Sequence, residues 1–319
     1  MDKTTGIALT FPGQGSQVVG MGRDFTAAYS EARETFEEAN DLLGFDLSAL
    51  CFHGPEDELD DTINTQPAVY VCSIAILRVL QQKLPQLEPL CVAGHSLGEF
   101  SALTASGALS FSDGVRLVRE RGRLMKQAGE KQPGAMAALL GMAREAVQMI
   151  CHEASNVTGA PVVLANDNCP GQIVISGDTR ALQTALDLAS SRGARKVMRL
   201  AVSIAAHSPL MADASVAFQA ALDHTNFQRP QMPVYSNATA KAFADVEDIR
   251  RTLGAQLTSP VRWTESMQAL IACGATRFIE VGPGDVLTGL IKRLDRSIDR
   301  DAINTVDALD ALVESFYSD

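Results

Sequence analysis

The sequence predicts an α/β protein, with a mostly parallel sheet flanked by helices and a smaller subdomain set into it. Three observations carry this. Short apolar runs bounded by glycine or proline alternate with longer amphipathic stretches along the 319 residues. Strand- and helix-like patterns in the order β-α-β-β-α-β crowd into residues 130–199. Helix and strand patterns then resume through Ile279-Glu280-Val281-Gly282-Pro283-Gly284.

Ile7–Phe11 reads as a strand that breaks at Pro12-Gly13. Residues 66–84 have the length and apolar content of a largely buried helix. Residues 90–93 read as a short buried strand and 97–107 as the helix after it. A helix over 113–127 is expected to be capped by Ser112 or Asp113. Residues 129–133 form a polar turn that closes this first segment.

Beyond that turn, 135–141 reads as a strand, 144–154 as a helix, 161–166 and 172–177 as strands, 179–192 as a helix and 196–202 as a strand. That order is the ferredoxin-like one. The expected division is therefore a main core over 1–129 and 200–319, with a ferredoxin-like insert over 130–199.

Hydrophobic residues make up 46% of the chain and charged residues 20%, a globular balance and not a disordered one. The absence of an uninterrupted apolar run of eighteen residues argues against a membrane span. The N-terminal apolar stretch is short for a secretory leader, so a cytoplasmic protein is expected. Six scattered cysteines lack metal spacing, and the five histidines form no ligand pattern, so no metal site is expected. A formal charge of −11 argues against general nucleic-acid binding. Local basic clusters remain at Arg116, Arg119, Arg121 and Arg123 and at Arg192, Arg195, Lys196 and Arg199.

Gly94-His95-Ser96-Leu97-Gly98, between a short strand and a helix, matches the nucleophile-elbow pattern and points to an α/β-hydrolase-like core. Such a turn holds Ser96 at a helix N-terminus, where free amides favour developing negative charge. The alternative is a serine that merely caps the helix. A serine hydroxyl needs a base. The His95 ring is expected to point away from the Ser96 oxygen. His207, on a turn opening a helix, can reach the elbow across the sheet, although it also suits loop packing. Phe11-Pro12-Gly13-Gln14-Gly15-Ser16-Gln17 follows the first strand. It can bring an N–H beside the elbow as half of an oxyanion hole, with Leu97 as the other half. It lacks the lysine and spacing of a Walker phosphate loop. Arg121, read alone, belongs to a solvated helix face.

Taken together, these motifs resemble the malonyl-CoA:acyl carrier protein transacylases of fatty acid synthesis and the related acyltransferase domains of polyketide synthases. The resemblance spans essentially the whole chain. It rests on the glycine-rich turn at 11–17, TQPAVYV, GHSLGEFSAL, RGRLM, NDNCPGQIVISG, HSPLM, PVYSN, SPVRW and EVGPG in order. It implies that Ser96 carries the acyl group as an ester and that His207 serves as base and later acid. The backbone amides of Gln14 and Leu97 would form the oxyanion hole, and the Gln256 carbonyl would orient His207. Arg121 would pair with a malonyl carboxylate, and Asn166 would stand near the site. The implied partners are malonyl-CoA and acyl carrier protein, with no metal or redox cofactor, and a monomer is expected. Carrier docking would use Arg192, Arg195 and Lys196 or Lys292 and Arg293.

One departure stands out. Malonyl-selective bacterial members often carry Gly-Ala-Phe-His-Ser where this chain has Ile204-Ala205-Ala206-His207-Ser208. Ala206 in place of an aromatic ring predicts a roomier pocket. Two rivals to the fatty-acid reading stay open. One is a polyketide acyltransferase acting in trans with broader extender units. The other is a thioester hydrolase, which would draw a triad acid from Asp167 or Asp178.

Overall fold

A computed structural model describes residues 6–200, Val202 and 204–317. The chain begins with β1 (Ile7–Phe11), then α1 (Arg23–Ala28), α2 (Ser30–Leu43), α3 (Leu47–His53), α4 (Glu56–Asp60) and α5 (Thr62–Lys83). Next come β2 (Cys91–Gly94), α6 (Gly98–Ala105) and α7 (Phe111–Lys131). A second group follows: β3 (Gly134–Leu140), α8 (Arg144–Thr158), β4 (Val162–Cys169), β5 (Gln172–Asp178), α9 (Thr179–Ser191) and β6 (Lys196–Arg199). After a 3-10 turn at Pro209–Met211, the chain forms α10 (Ala212–Asp223), β7 (Val234–Tyr235), α11 (Val246–Gln256) and α12 (Trp263–Ala272). It ends with β8 (Arg277–Val281), α13 (Val286–Leu294), β9 (Asp299–Ile303) and α14 (Val306–Tyr317).

Two sheets result. The first runs β7-β2-β1-β8-β9 with every pairing parallel. Both faces are covered: Leu9, Phe11 and Val92 pack into one apolar cluster, while Ala8, Ala93 and Phe278 pack with Trp263 in another. Burial on both sides explains why these strands read as continuous apolar runs. The second sheet is antiparallel, in the order β4-β5-β3-β6. Its own core lies against α8 and α9, around Leu139, Ile150, Ile175 and Leu182.

The boundary between β4 and the parallel-sheet region is stitched by backbone. The Asp167 N–H donates to the Val261 carbonyl at 2.9 Å, and the Val261 N–H to Ala165 at 2.8 Å. Arg144 reinforces the seam through Asp167 and Glu265.

α5 is long and apolar enough to cross a membrane by length and composition, but it lies inside the protein, packed against α2 and α7. It starts at Thr62, four residues before the expected 66, because the Asp61 carboxylate accepts the Ile63 N–H at 3.2 Å. Pro67 sits inside this helix and cannot donate to the Ile63 carbonyl. Arg119 supplies the missing donor, at 2.7 Å.

α7 also departs from expectation at both ends. It is capped by Ser110, which accepts the Asp113 N–H at 3.1 Å, and neither Ser112 nor Asp113 holds that place. It runs through Lys131, so most of the turn expected at 129–133 is helix. Gly129 is buried there, and tertiary packing outweighs its weak helix propensity. The strand expected over 196–202 ends at Arg199; Ala201 lies outside the described residues. Residues 1–5, on which the leader reading partly rests, are outside them too.

Candidate active site

Ser96 occupies the turn between β2 and α6 with φ at +51°, a left-handed conformation uncommon for a side-chain-bearing residue. The flanking glycines are sterically required. A Cβ on Gly94 would stand 1.9 Å from the Gly98 carbonyl, and one on Gly98 would stand 2.1 Å from the Phe11 carbonyl. Asn237, from the segment after β7, braces the turn from outside. Its side-chain oxygen accepts the Ser96 N–H at 2.6 Å, and its Nδ2 donates to the Gly94 carbonyl at 2.7 Å.

The histidine expected as base reaches the Ser96 hydroxyl. His207 Nε2 lies 2.8 Å from Ser96 Oγ. Nδ1 lies 2.9 Å from the Gln256 carbonyl and 3.1 Å from the Ser259 carbonyl. Carbonyl oxygens only accept, so Nδ1 carries the proton and Nε2 is free to receive the serine's. Burial, reinforced by the Arg121 charge, pushes the imidazole pKa down to about 3. The ring is therefore a neutral base at physiological pH. Its backbone is also left-handed, at φ +59°.

Arg121 is not on a solvated face: it is 1% exposed. Its Nη1 donates to Gln66 Oε1 at 2.8 Å, and its Nη2 donates to Gln256 Oε1 at 2.8 Å and to Ser96 Oγ at 3.1 Å. Glycines on α7 let that helix press against α5. A Cβ on Gly114 would stand 1.9 Å from the Tyr70 hydroxyl oxygen, and one on Gly122 would stand 2.7 Å from the Thr62 carbonyl. Burial lowers the guanidinium pKa to about 10, so it stays charged at neutral pH. The other members of that arginine cluster scatter: Arg119 turns to α5, while Arg116 and Arg123 pair with Asp113 and Glu120.

The glycine-rich turn reaches the elbow, as expected. A Cβ on Gly13 would stand 2.3 Å from the His95 carbonyl, and Gln14 lines the cavity beside Ser96. Among the described residues, neither the Gln14 nor the Leu97 N–H donates to a protein acceptor. Asn166 lines the same cavity with its Oδ1 unpartnered, and Ala206 lines it beside His207. The cavity holds about 280 Å³, and its apolar wall is Met125, Met136, Leu200, Val202 and Ile204. The His95 ring points elsewhere, 2.9 Å from Asn168 Oδ1 and edge-on to Trp263.

The candidate triad acids of a hydrolase are elsewhere. Asp167 is taken by Arg144 and Thr264, and Asp178 caps α9. Sequence reasoning assigned no role to Asn237, Gln66, Asn168, Ser259 or Glu99. Each lies inside a motif quoted above, which marks the stretch as significant without saying which neighbour a side chain meets.

Residues 9–308 match the family model described as the acyl transferase domain. The chain belongs to the acyl transferase domain family. Within that family it is 42% identical over 307 residues to the malonyl CoA-acyl carrier protein transacylase of Haemophilus influenzae, covering 96% of this chain and 98% of that one. It is 43% identical over 309 residues to the Bacillus subtilis protein of the same name, covering 97% and 96%. Among solved structures, the malonyl-CoA:acyl carrier protein transacylase of Xanthomonas oryzae pv. oryzae superposes with a TM-score of 0.94 at 43% identity, covering 99% of each chain. A malonyl-transacylase solved in complex with its type II polyketide synthase acyl-carrier protein also gives 0.94, at 40% identity, covering 98% of this chain and 100% of that one. This acyl transferase shares with them a mixed architecture of one parallel and one separate antiparallel sheet.

Proposed function

We propose that the protein transfers a malonyl group from coenzyme A to the phosphopantetheine thiol of an acyl carrier protein through a malonyl ester on Ser96. One observation carries this beyond generic acyl transfer: a buried guanidinium stands 3.1 Å from the hydroxyl that would hold the acyl group. A planar fork suits a carboxylate at the far end of a short acyl chain.

His207 Nε2 takes the Ser96 proton as Oγ attacks the thioester carbonyl. The oxyanion is received by the Gln14 and Leu97 N–H groups. The leaving CoA sulfur takes the proton back from Nε2. In the second half, the carrier thiol gives its proton to Nε2 and attacks the ester, and Ser96 Oγ leaves with that proton. The Gln256 and Ser259 carbonyls hold the imidazole tautomer through both halves. No metal or redox cofactor enters this scheme; coenzyme A and phosphopantetheine belong to the substrates. Asn166, with a free side-chain oxygen over the cavity, is assigned to substrate contact.

The parallel sheet with its elbow after β2 supports naming the core α/β-hydrolase-like, over 1–129 and 200–319. The β4-β5-β3-β6 order supports naming 130–199 a ferredoxin-like insert. For carrier docking, Arg195, Lys196 and Lys292 make no ion pair among the described residues, whereas Arg192 is held by Glu153. A cytoplasmic location fits a protein working on these two substrates.

The test is mass spectrometry of the protein mixed with malonyl-CoA. A stable malonyl adduct on Ser96 that moves to added holo carrier protein is the expected result. Release of free malonate without carrier would make the protein a hydrolase. The likeness to the polyketide malonyl-transacylase makes the choice of carrier a second variable, read by offering fatty-acid and polyketide carriers in parallel.

A further inference from the structure

Glu99 lies in the first turn of α6, three residues after Ser96, and is 1% exposed. The scheme above gives it no task. Its Oε2 accepts from Gln256 Nε2, which also donates to the Ser96 carbonyl at 3.1 Å. Its Oε1 has no hydrogen-bond partner of ordinary geometry. The groups facing the carboxyl are Arg121 from α7, the Gln256 amide from α11, and Ser236 and the Asn237 N–H from the segment after β7. Arg121 is the ionisable one among these four. His207 senses the Arg121 charge and meets Gln256 only through the backbone carbonyl.

The arrangement is unusual for a buried acid and a buried base in one pocket. Among the described residues they form no direct ion pair. The Gln256 amide is threaded between them, its oxygen on Arg121 and its nitrogen on Glu99. An ionised carboxylate in so dry a place would gain most by closing on the guanidinium itself. A neutral acid accepts from the amide and has the Ser236 hydroxyl, itself without another partner, to receive its proton.

We propose that Glu99 is a positioning residue held as a neutral acid: it fixes which way the Gln256 amide points and leaves the Arg121 charge for the substrate's carboxylate. Burial supports this by raising the carboxyl pKa to about 8. Once Glu99 ionises, it becomes a built-in rival to the malonyl carboxylate, and preference for acidic acyl groups falls. Acetyl groups do not feel the change. The inference rests on Arg121 being the carboxylate receptor.

The experiment measures kcat/KM for malonyl-CoA and acetyl-CoA from pH 6 to 9.5 and follows their ratio. Titration of His207 and of the leaving thiol acts on both donors and cancels. The wild-type ratio is expected to stay level below about pH 8 and then to fall by up to about tenfold per unit, the limit for one proton. Glu99→Gln flattens the profile. Glu99→Ala lowers the ratio about tenfold throughout, because the Gln256 amide loses its anchor, and Gln at this position recovers what Ala loses. A level wild-type ratio to pH 9.5, or an unchanged fall in Glu99→Gln, overturns the proposal. Arg121→Ala separates the two readings: equal loss with both donors removes the carboxylate receptor itself.

Discussion

Asn237 closes on Ser96 from outside the elbow, its Oδ1 taking the serine's N–H at 2.6 Å while its Nδ2 holds the Gly94 carbonyl. A residue 141 positions away thus maintains the left-handed backbone that presents the Ser96 hydroxyl. Removing it leaves a buried donor and a buried acceptor unsatisfied, each costing about 1–3 kcal/mol. Asn237→Ala is expected to slow Ser96 acylation roughly 10- to 100-fold with malonyl and acetyl donors alike. Rapid-quench acylation with both donors checks it, and a donor-selective effect would contradict a purely structural brace.

Arg121 should discriminate between donors. Loss of a buried bidentate contact to a carboxylate is worth about 2–3 kcal/mol, so Arg121→Ala is expected to lower malonyl kcat/KM on the order of 100-fold. Acetyl transfer should be spared or improved, since the cavity gains room and loses a charge. Side-by-side kinetics with the two thioesters decides the matter.

The His207 imidazole is held neutral far below the usual histidine range, to about pH 3. Its contribution to the acylation rate should therefore be level from pH 5 to 8 and fall only in strong acid. Stability carries the same linkage. The unfolded chain protonates its histidine near pH 6.5 while the folded one does not, so this group favours unfolding progressively as pH falls from 6.5 toward 3. At pH 4.5 the cost is roughly 2–3 kcal/mol. Denaturant midpoints at pH 7 and 4.5 should drop less in His207→Gln than in the wild type; equal drops would show that the folded histidine protonates normally.

Ala206 is expected to act on acyl size. It lines the cavity beside His207, together with Met125 and Met136, whose side chains are flexible. Ala206→Phe is expected to depress methylmalonyl transfer at least about fivefold more than malonyl transfer, close to 1 kcal/mol of selective exclusion. A panel of the two extender thioesters reads this out. An unchanged preference would move size selection to the wall residues.

Much of the site was legible because its chemistry is local in sequence. Ser96 between Gly94 and Gly98 announces a sharp turn, and both glycines prove to be required by backbone contacts under 2.2 Å. Arg121 shows the opposite case. Four arginines lie close together along one helix, and helical spacing alone cannot say which is buried. Small residues on α7 that admit α5 make that choice, and they select Arg121. The helix starts at Thr62 and Phe111 were also misplaced from periodicity alone, because each is set by a capping side chain just outside the apolar pattern.

The sequence by itself determined the order of elements over 66–199, the elbow turn and the family to which the chain belongs. Those properties follow from residue type and short-range spacing, which survive without coordinates. Only the tertiary structure decided the charge states and the supporting contacts. Asn237 and Gln256 meet the elbow across large sequence separations, and the burial that lowers the His207 pKa and raises that of Glu99 comes from the packing of several elements at once. Desolvation is a property of the folded interior, so the sequence names these groups while the fold sets their protons.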